Sequence, residues 1–284
     1  MMTINVKRRI ESIYEELTKS EKKIADFVLI NPVEVTAMTT SDLAEKTGAS
    51  PATVIRFCKS IGIDSFTQLK VSLASGVTKS EPTQFSDIEA NEPVESIKEK
   101  LLYNAYQSMA DTTKYLDDAK IETAVKAIEK APVIYAFGIG ASWLVAENFM
   151  QKFNRVGQSV IAISDVHIML ASLVSAPKNA VMLLVSNSGN TKEITYLVEA
   201  GNQHGIKTIG ISQFGSNYLS KKSDIALHTV KPKEAELRSA ATSSLHAQFM
   251  VVDILFFSYA TRNYEKIYST IETSRQEVKD YNKL

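Results

Sequence analysis

Four apolar runs, VIYAFG, SVIAIS, AVMLLVS and TIGIS, recur between Val133 and Ser212, each separated from the next by a helix-length stretch. No other feature limits the fold so tightly. Strands that are apolar on both sides need a covering layer on each face, and a helix is the usual return path between parallel neighbours. The expected fold class is therefore α/β, a doubly wound parallel sheet flanked by helices, with DIALHTV at 224–230 as a fifth short strand. Helical patterns at 94–116 and 121–130 precede this sheet, and another, from about 239 to 280, follows it. Before about Ser75 the chain shows helical periodicity alone, so an all-α domain stands ahead of the sheet. Between the two, GVTKSEPTQFSDIEANEPVE is rich in Ser, Thr, Pro and acidic residues and lacks apolar periodicity, as an exposed connector does. The expected boundaries are 1–77 for the helical domain, 78–93 for the linker and 94–284 for the α/β domain.

Composition narrows the function classes. With 32 Lys+Arg against 32 Asp+Glu, no global positive field exists, so any nucleic-acid contact must be made by a local surface. The single cysteine, Cys58, rules out an intrachain disulfide and makes a metal cage unexpected. The basic stretch Lys7-Arg8-Arg9 leads into further charge, and FMVVDILFF near the C-terminus is short and interrupted by Asp253. The expectation is a cytoplasmic protein without a membrane segment, a metal or a cofactor.

Within the helical domain, TTSDLAEKTGASPATVIRFCKSIG contains two consecutive helix signatures. Thr40 or Ser41 is a candidate N-cap with Asp42 in the first turn, and Gly48 is placed to end that helix in the left-handed conformation. Ser50-Pro51 then supplies an N-cap with proline at the first helical position. Two short helices joined by a turn containing Gly fit the helix-turn-helix unit that enters the DNA major groove. At 100° per residue, Val54, Phe57, Cys58 and Ile61 share one side of the second helix, and Ala52, Thr53, Arg56, Lys59 and Ser60 the other. On DNA, Ser50, Ala52 and Thr53 would reach base edges or a thymine methyl, Arg56 would fork onto guanine, and Lys59 would neutralise a phosphate. The same pattern also suits an ordinary helical hairpin with a solvated face. The stretch from LTKSEKKIADFVL to IDSFTQLKVSLA, including this pair, resembles the N-terminal domain of the RpiR family of regulators. That resemblance implies that Ser50 to Lys59 is a recognition helix and that operator DNA is a partner.

Two loops of the α/β domain carry the remaining chemistry. VIYAFG runs into Gly138-Ile139-Gly140-Ala141-Ser142 at a strand-to-helix junction, where bare amides and a hydroxyl suit an anion. A dinucleotide reading competes, because Gly138-x-Gly140 follows a strand and Asp165 follows the next one, in the place of a ribose-binding acid. Trp143 at the third glycine position argues against it. AVMLLVS ends in Ser186-Asn187-Ser188-Gly189-Asn190-Thr191-Lys192-Glu193, with three hydroxyls and a glycine in one turn. This is not a Walker loop, since Lys192 follows the threonine instead of preceding it. Both loops sit at carboxyl ends of parallel strands, where ligands of such sheets bind, and the expectation is one shared pocket.

The pair GIGAS and SNSGNTKE resembles the signature of the SIS, or sugar isomerase, domain over about 93–264. The resemblance implies a phosphosugar ligand, with Ser142, Ser186, Ser188 and Thr191 on its phosphate; Gly138, Gly140, Asn187 and Gly189 of the same loops complete the expected phosphosugar-binding set. In EAELRSAATSSLHAQFMVVDILF the acid and Arg-Ser of RpiR-type regulators recur, which makes Glu236 and Arg238 candidates for sugar contacts; a local pair at a helix start is the competing reading. Leu245 departs from that family pattern, and His246 is expected to face the core or a dimer partner. Together these readings describe a ligand-controlled DNA-binding regulator, without catalytic residues, working as a homodimer or homotetramer assembled through SIS helices. A phosphosugar isomerase or lyase is the alternative, though no spacing shows a general base converging on the pocket.

Overall fold

The computed structural model describes residues 6–77, 91–230 and 242–281. The chain forms two compact units whose main division falls between Glu92 and Pro93, with Phe214–Ser216 assigned to the first.

The first unit consists of α1 (Val6–Ile13), α2 (Lys19–Ile30), α3 (Pro32–Ala37), α4 (Thr40–Thr47), α5 (Pro51–Ser60) and α6 (Phe66–Val77). Local signals set its helix ends. Thr18 caps α2 in a reciprocal box with Glu21, and Thr39 caps α4 in another with Asp42. The α4 cap thus lies one residue before the expected Thr40 and two before Ser41, because the box requires the acid three residues after the cap. Gly48 closes α4 at φ 62°, with Ala49 N–H donating to the Ala44 carbonyl, and Ser50 then caps α5 ahead of Pro51. Val54, Phe57, Cys58 and Ile61 of the α5 region are buried with Ile24 of α2, Leu43 of α4 and Leu69 of α6. Burial pushes the Cys58 thiol up to about 11, so it stays protonated and unreactive in the folded state.

The second unit contains α7 (Val94–Tyr115), α8 (Asp118–Lys130), β1 (Ile134–Gly138), α9 (Ala141–Arg155), β2 (Val160–Ala162), α10 (Val166–Val174) and β3 (Val181–Val185). It continues through α11 (Lys192–Gln203), β4 (Lys207–Gln213), α12 (Tyr218–Lys222), β5 (Ile225–Thr229), α13 (Ser243–Arg262) and α14 (Tyr264–Tyr281). All five strands are parallel, in the order β2-β1-β3-β4-β5. Alternate residues serve opposite layers. Ala136, Leu183, Ile209 and Leu227 join a core with α8, α9 and α13, while Phe137, Met182 and Leu184 join one with α10, α11 and α12. This double cover is the reason the strands read as unbroken apolar runs.

One helix expectation needs correction: α8 begins at Asp118 instead of 121, because Asp117 caps it by accepting from the amides of Ala119 and Lys120. The helical stretch expected from about 239 to 280 is divided into α13 and α14 at Asn263, which leaves helical geometry at φ −119°, ψ 31° and whose side chain donates to Tyr259 O and Glu129 Oε1. Residues 78–90 of the linker and 239–241, where that helix was expected to start, lie outside the described residues.

Because Phe57 is fully buried beside the sole cysteine, the thiol reports locally on this core. Phe57→Ala is expected to destabilise the first unit by about 3–5 kcal/mol. The check is the rate at which a thiol reagent labels Cys58 under native conditions: the variant should label at least a hundredfold faster than the parent.

Candidate functional sites

On α5, Ala52, Arg56, Lys59 and Ser60 are exposed and Thr53 half-exposed, as the helical wheel requires. Ser50 Oγ accepts from the Thr53 amide at 3.2 Å and lies 2.9 Å from Thr53 Oγ1, so its first task is to cap the helix. Arg56 is held from behind: its Nε donates to Glu21 Oε1 at 3.4 Å, which leaves the outer guanidinium nitrogens on the exposed side. Ser60 Oγ donates to the same oxygen at 3.1 Å, while Thr18 donates to Glu21 Oε2 through its amide and hydroxyl at 3.0 and 2.6 Å. Glu21 is only 4% exposed. Desolvation alone would raise its pKa, but the Thr18 and Ser60 hydrogen bonds and the Arg56 charge outweigh that and hold it below 4.5. The buried carboxylate therefore stays ionised at neutral pH and ties α2 to the exposed arginine of α5. Sequence reasoning did not connect Glu21 with Arg56. The capping box is a local signal for Glu21, but a contact across 35 residues is not.

In the second unit, β1 and β3 are neighbours, with Gly138 in register with Val185. Their loops consequently leave the carboxyl edge side by side. This is also where the strand order reverses, with β2 on one side of β1 and β3 to β5 on the other; open α/β sheets bind ligands in the crevice at such a point. Gly140 adopts φ 59°, ψ −127°, which requires glycine, and turns the chain into α9. A Cβ on Gly138 would stand 2.4 Å from the Ser142 carbonyl oxygen, and one on Gly189 would stand 2.0 Å from Asn217 Oδ1. Both glycines are thus required by the protein's own packing, whatever a ligand demands.

The hydroxyls of the second loop are partly engaged. Ser186 Oγ accepts from the Gly189 amide at 3.1 Å and lies 3.2 Å from Thr191 Oγ1, and Ser188 Oγ, exposed, accepts from the Asn190 amide at 3.3 Å. Asn187 is half-buried and its Oδ1 has no partner among the described residues. Ser142 Oγ donates to Gln248 Oε1 on α13 at 3.3 Å. Gly140 and Thr191, the N-caps of α9 and α11, make no side-chain cap, whereas Asp165 and Asn217 cap α10 and α12. The two helices that open at the loops therefore begin with first-turn amides that no N-cap side chain occupies.

Asp165 accepts from the amides of His167 and Ile168 at 2.8 and 2.9 Å, so the acid that the dinucleotide reading needs is committed to a helix cap. Trp143 packs against the core at the third glycine position. Glu236 and Arg238 lie outside the described residues. Leu245 packs on the core and His246 is exposed, which removes the core from the two surroundings expected for that histidine. Among the described residues no group of three or more His, Cys, Asp or Glu side chains is placed to hold a metal, and no helix is long and apolar enough to cross a membrane.

Comparison with known proteins agrees with this geometry. The helix-turn-helix domain of the rpiR family matches residues 4–80, and the SIS domain matches residues 127–258. The uncharacterized HTH-type transcriptional regulator YbbH of Bacillus subtilis (strain 168) is 35% identical over 94% of this chain and 94% of its own length. YfhH of Escherichia coli (strain K12), also an uncharacterized HTH-type transcriptional regulator, is 29% identical over 95% of this chain and 97% of its own. The Vibrio vulnificus NanR protein, solved in complex with ManNAc-6P, shares the fold over 98% of this chain and 99% of its own, with a TM-score of 0.61 at 24% identity. An all-α unit with a helix-turn-helix, followed by a parallel sheet with two polar loops at its switch point, defines a transcriptional regulator with an SIS domain. The chain belongs to the rpiR family of HTH-type regulators.

The Glu21 network yields a pH dependence. A carboxylate whose folded pKa lies below 4.5 adds stability that is present above that value and lost as pH falls through the folded pKa. Glu21→Gln retains a capping side chain but not the charge. Protection of α5 amides against hydrogen exchange should fall as pH drops below 4.5 in the parent and vary less with acidification in the variant.

Proposed function

We propose that the chain is a non-enzymatic, metabolite-controlled regulator: α5 reads operator DNA, and the β1 and β3 loops together hold the phosphoryl group of a phosphosugar effector. The observation that carries the effector reading is the adjacency of the two loops at the strand-order reversal, with uncapped α9 and α11 behind them. A phosphate is an acceptor-only anion. Ser142, Ser186, Ser188 and Thr191 supply hydroxyls and the first turn of α11 supplies amides, whereas in α9 the Ser142 and Trp143 amides already donate to the Ile139 and Gly140 carbonyls and that helix adds mainly its dipole, so charge is balanced without a mandatory cation. ManNAc-6P in the NanR complex is a phosphosugar on the same fold and supports this class of ligand.

For DNA, Ala52 and Thr53 are placed for base edges, Arg56 for guanine O6 and N7, and Lys59 for a phosphate. Two copies of α5, presented by a homodimer or homotetramer of the chain in the cytoplasm, would meet successive major-groove faces of a palindromic operator. The effector biases the arrangement that fits DNA by no more than its difference in affinity for the two arrangements.

Crossed substitutions test the division of labour. Arg56→Ala should weaken operator binding by about 5- to 150-fold and leave phosphosugar binding unchanged. Ser188→Ala should weaken phosphosugar binding about tenfold with DNA binding intact in the absence of effector. Calorimetry with a phosphosugar panel and DNA titrations at fixed salt read both. Loss of both activities in each folded variant, or turnover of any panel member by the parent, would contradict the proposal.

A further inference from the structure

Gln248 is 1% exposed, on the second turn of α13, with Val251, Val252 and Leu255 of the same helix buried around it. An apolar residue would satisfy such a position. Instead the fold retains an amide whose Oε1 accepts from Ser142 Oγ at 3.3 Å and whose Nε2 is buried with no partner among the described residues. An orphaned buried donor is uncommon in folded proteins and calls for a reason. Its location, against the hydroxyl of the first loop, supplies one.

Ser142 has one proton. While that proton is donated to Gln248 Oε1, the hydroxyl presents only lone pairs to the crevice and repels an acceptor-only phosphoryl oxygen. Rotation of the amide by 180° about its last torsion exchanges the two ends: Nε2 then donates to Ser142 Oγ, and the Ser142 proton is released toward the ligand. The buried orphan becomes a carbonyl oxygen, which tolerates under-satisfaction better than an N–H group does. We propose that Gln248 is a positioning residue of the effector site, and that ligand binding selects the relay from Gln248 Nε2–H to Ser142 Oγ–H to phosphoryl oxygen. Donors aligned in series polarise one another, so the relay strengthens the terminal contact.

The relay also carries a route for regulation. α13 packs along α7, which starts at Val94, immediately after the division between the two units. An amide on α13 whose bond to Ser142 reverses with ligand links the effector to the helix pair nearest the linker. This inference rests on the phosphosugar reading.

The test uses the full-length protein and three probes, ManNAc-6P, glucosamine 6-phosphate and inorganic phosphate, titrated by calorimetry. Gln248→Met matches volume and removes both amide ends; Gln248→Glu keeps an acceptor for Ser142, cannot donate when ionised, and adds a charge facing the ligand. Affinity for the phosphosugar that the parent binds should fall about tenfold in the first variant and by about a hundredfold or more in the second. On a Ser142→Ala background the Gln248→Met effect should shrink to less than about twofold, because the relay is already broken. Ligand-free thermal stability of Gln248→Met should equal or exceed that of the parent, whereas a merely structural amide would lower it on removal. Unchanged affinity in both single variants, or a Gln248→Met effect of full size on the Ser142→Ala background, overturns the relay and leaves the phosphosugar reading standing. Failure of the parent to bind any probe overturns both.

Discussion

The hydrogen-bonded pairing of β1 with β3 is the constraint on which the proposed effector site depends. Parallel strands in register bring Gly138 level with Val185, so two loops separated by more than forty residues emerge at one edge of the sheet. Because β2 crosses to the other side of β1, no strand intervenes between these loops. Close packing does the rest: the first turn of α9 presses on Gly138, and Asn217 presses on Gly189. The polar groups of the site are therefore placed by a rigid apolar scaffold, an arrangement suited to a preorganised anion site.

Much of this was legible because its causes are local. Gly48, Ser50 and Pro51 announce the turn between α4 and α5 within four residues, and the period of Val54, Phe57 and Cys58 identifies the buried side of α5. Five strands and their flanking helices follow from runs of apolar residues covered on both faces. Strand order was a different matter. The apolar runs disclose how many strands exist and that they are parallel, but the pairing of β1 with β3 is decided by how helices pack on the two faces. Local rules also failed where two signals competed: Thr39 displaced Thr40 and Ser41 as a cap because Asp42 is spaced to answer it, and Asp165 caps a helix where position alone suggested a ribose contact.

The contacts that decide chemistry were the least visible. Glu21 meets Arg56 across 35 residues, and Ser142 meets Gln248 across 106. The capping box marks Glu21 and the Ala-Gln of the RpiR-like stretch marks Gln248, but neither mark names the distant side chain it meets, which only the tertiary fold supplies. Both are buried groups that set the direction of an outward-facing one, the guanidinium in the first unit and the hydroxyl in the second. In both candidate surfaces a buried group, the Glu21 carboxylate or the Gln248 amide, sets which hydrogen-bonding face the outward side chain presents.

The central claim is that the two loops act as one site for one phosphoryl group. Backbone amide NMR during titration with a phosphosugar that binds addresses it directly. The account predicts that signals from 139–143 and from 186–193 move together, along curves described by a single dissociation constant. Movement confined to one loop, or two loops that saturate at different ligand concentrations, would contradict it.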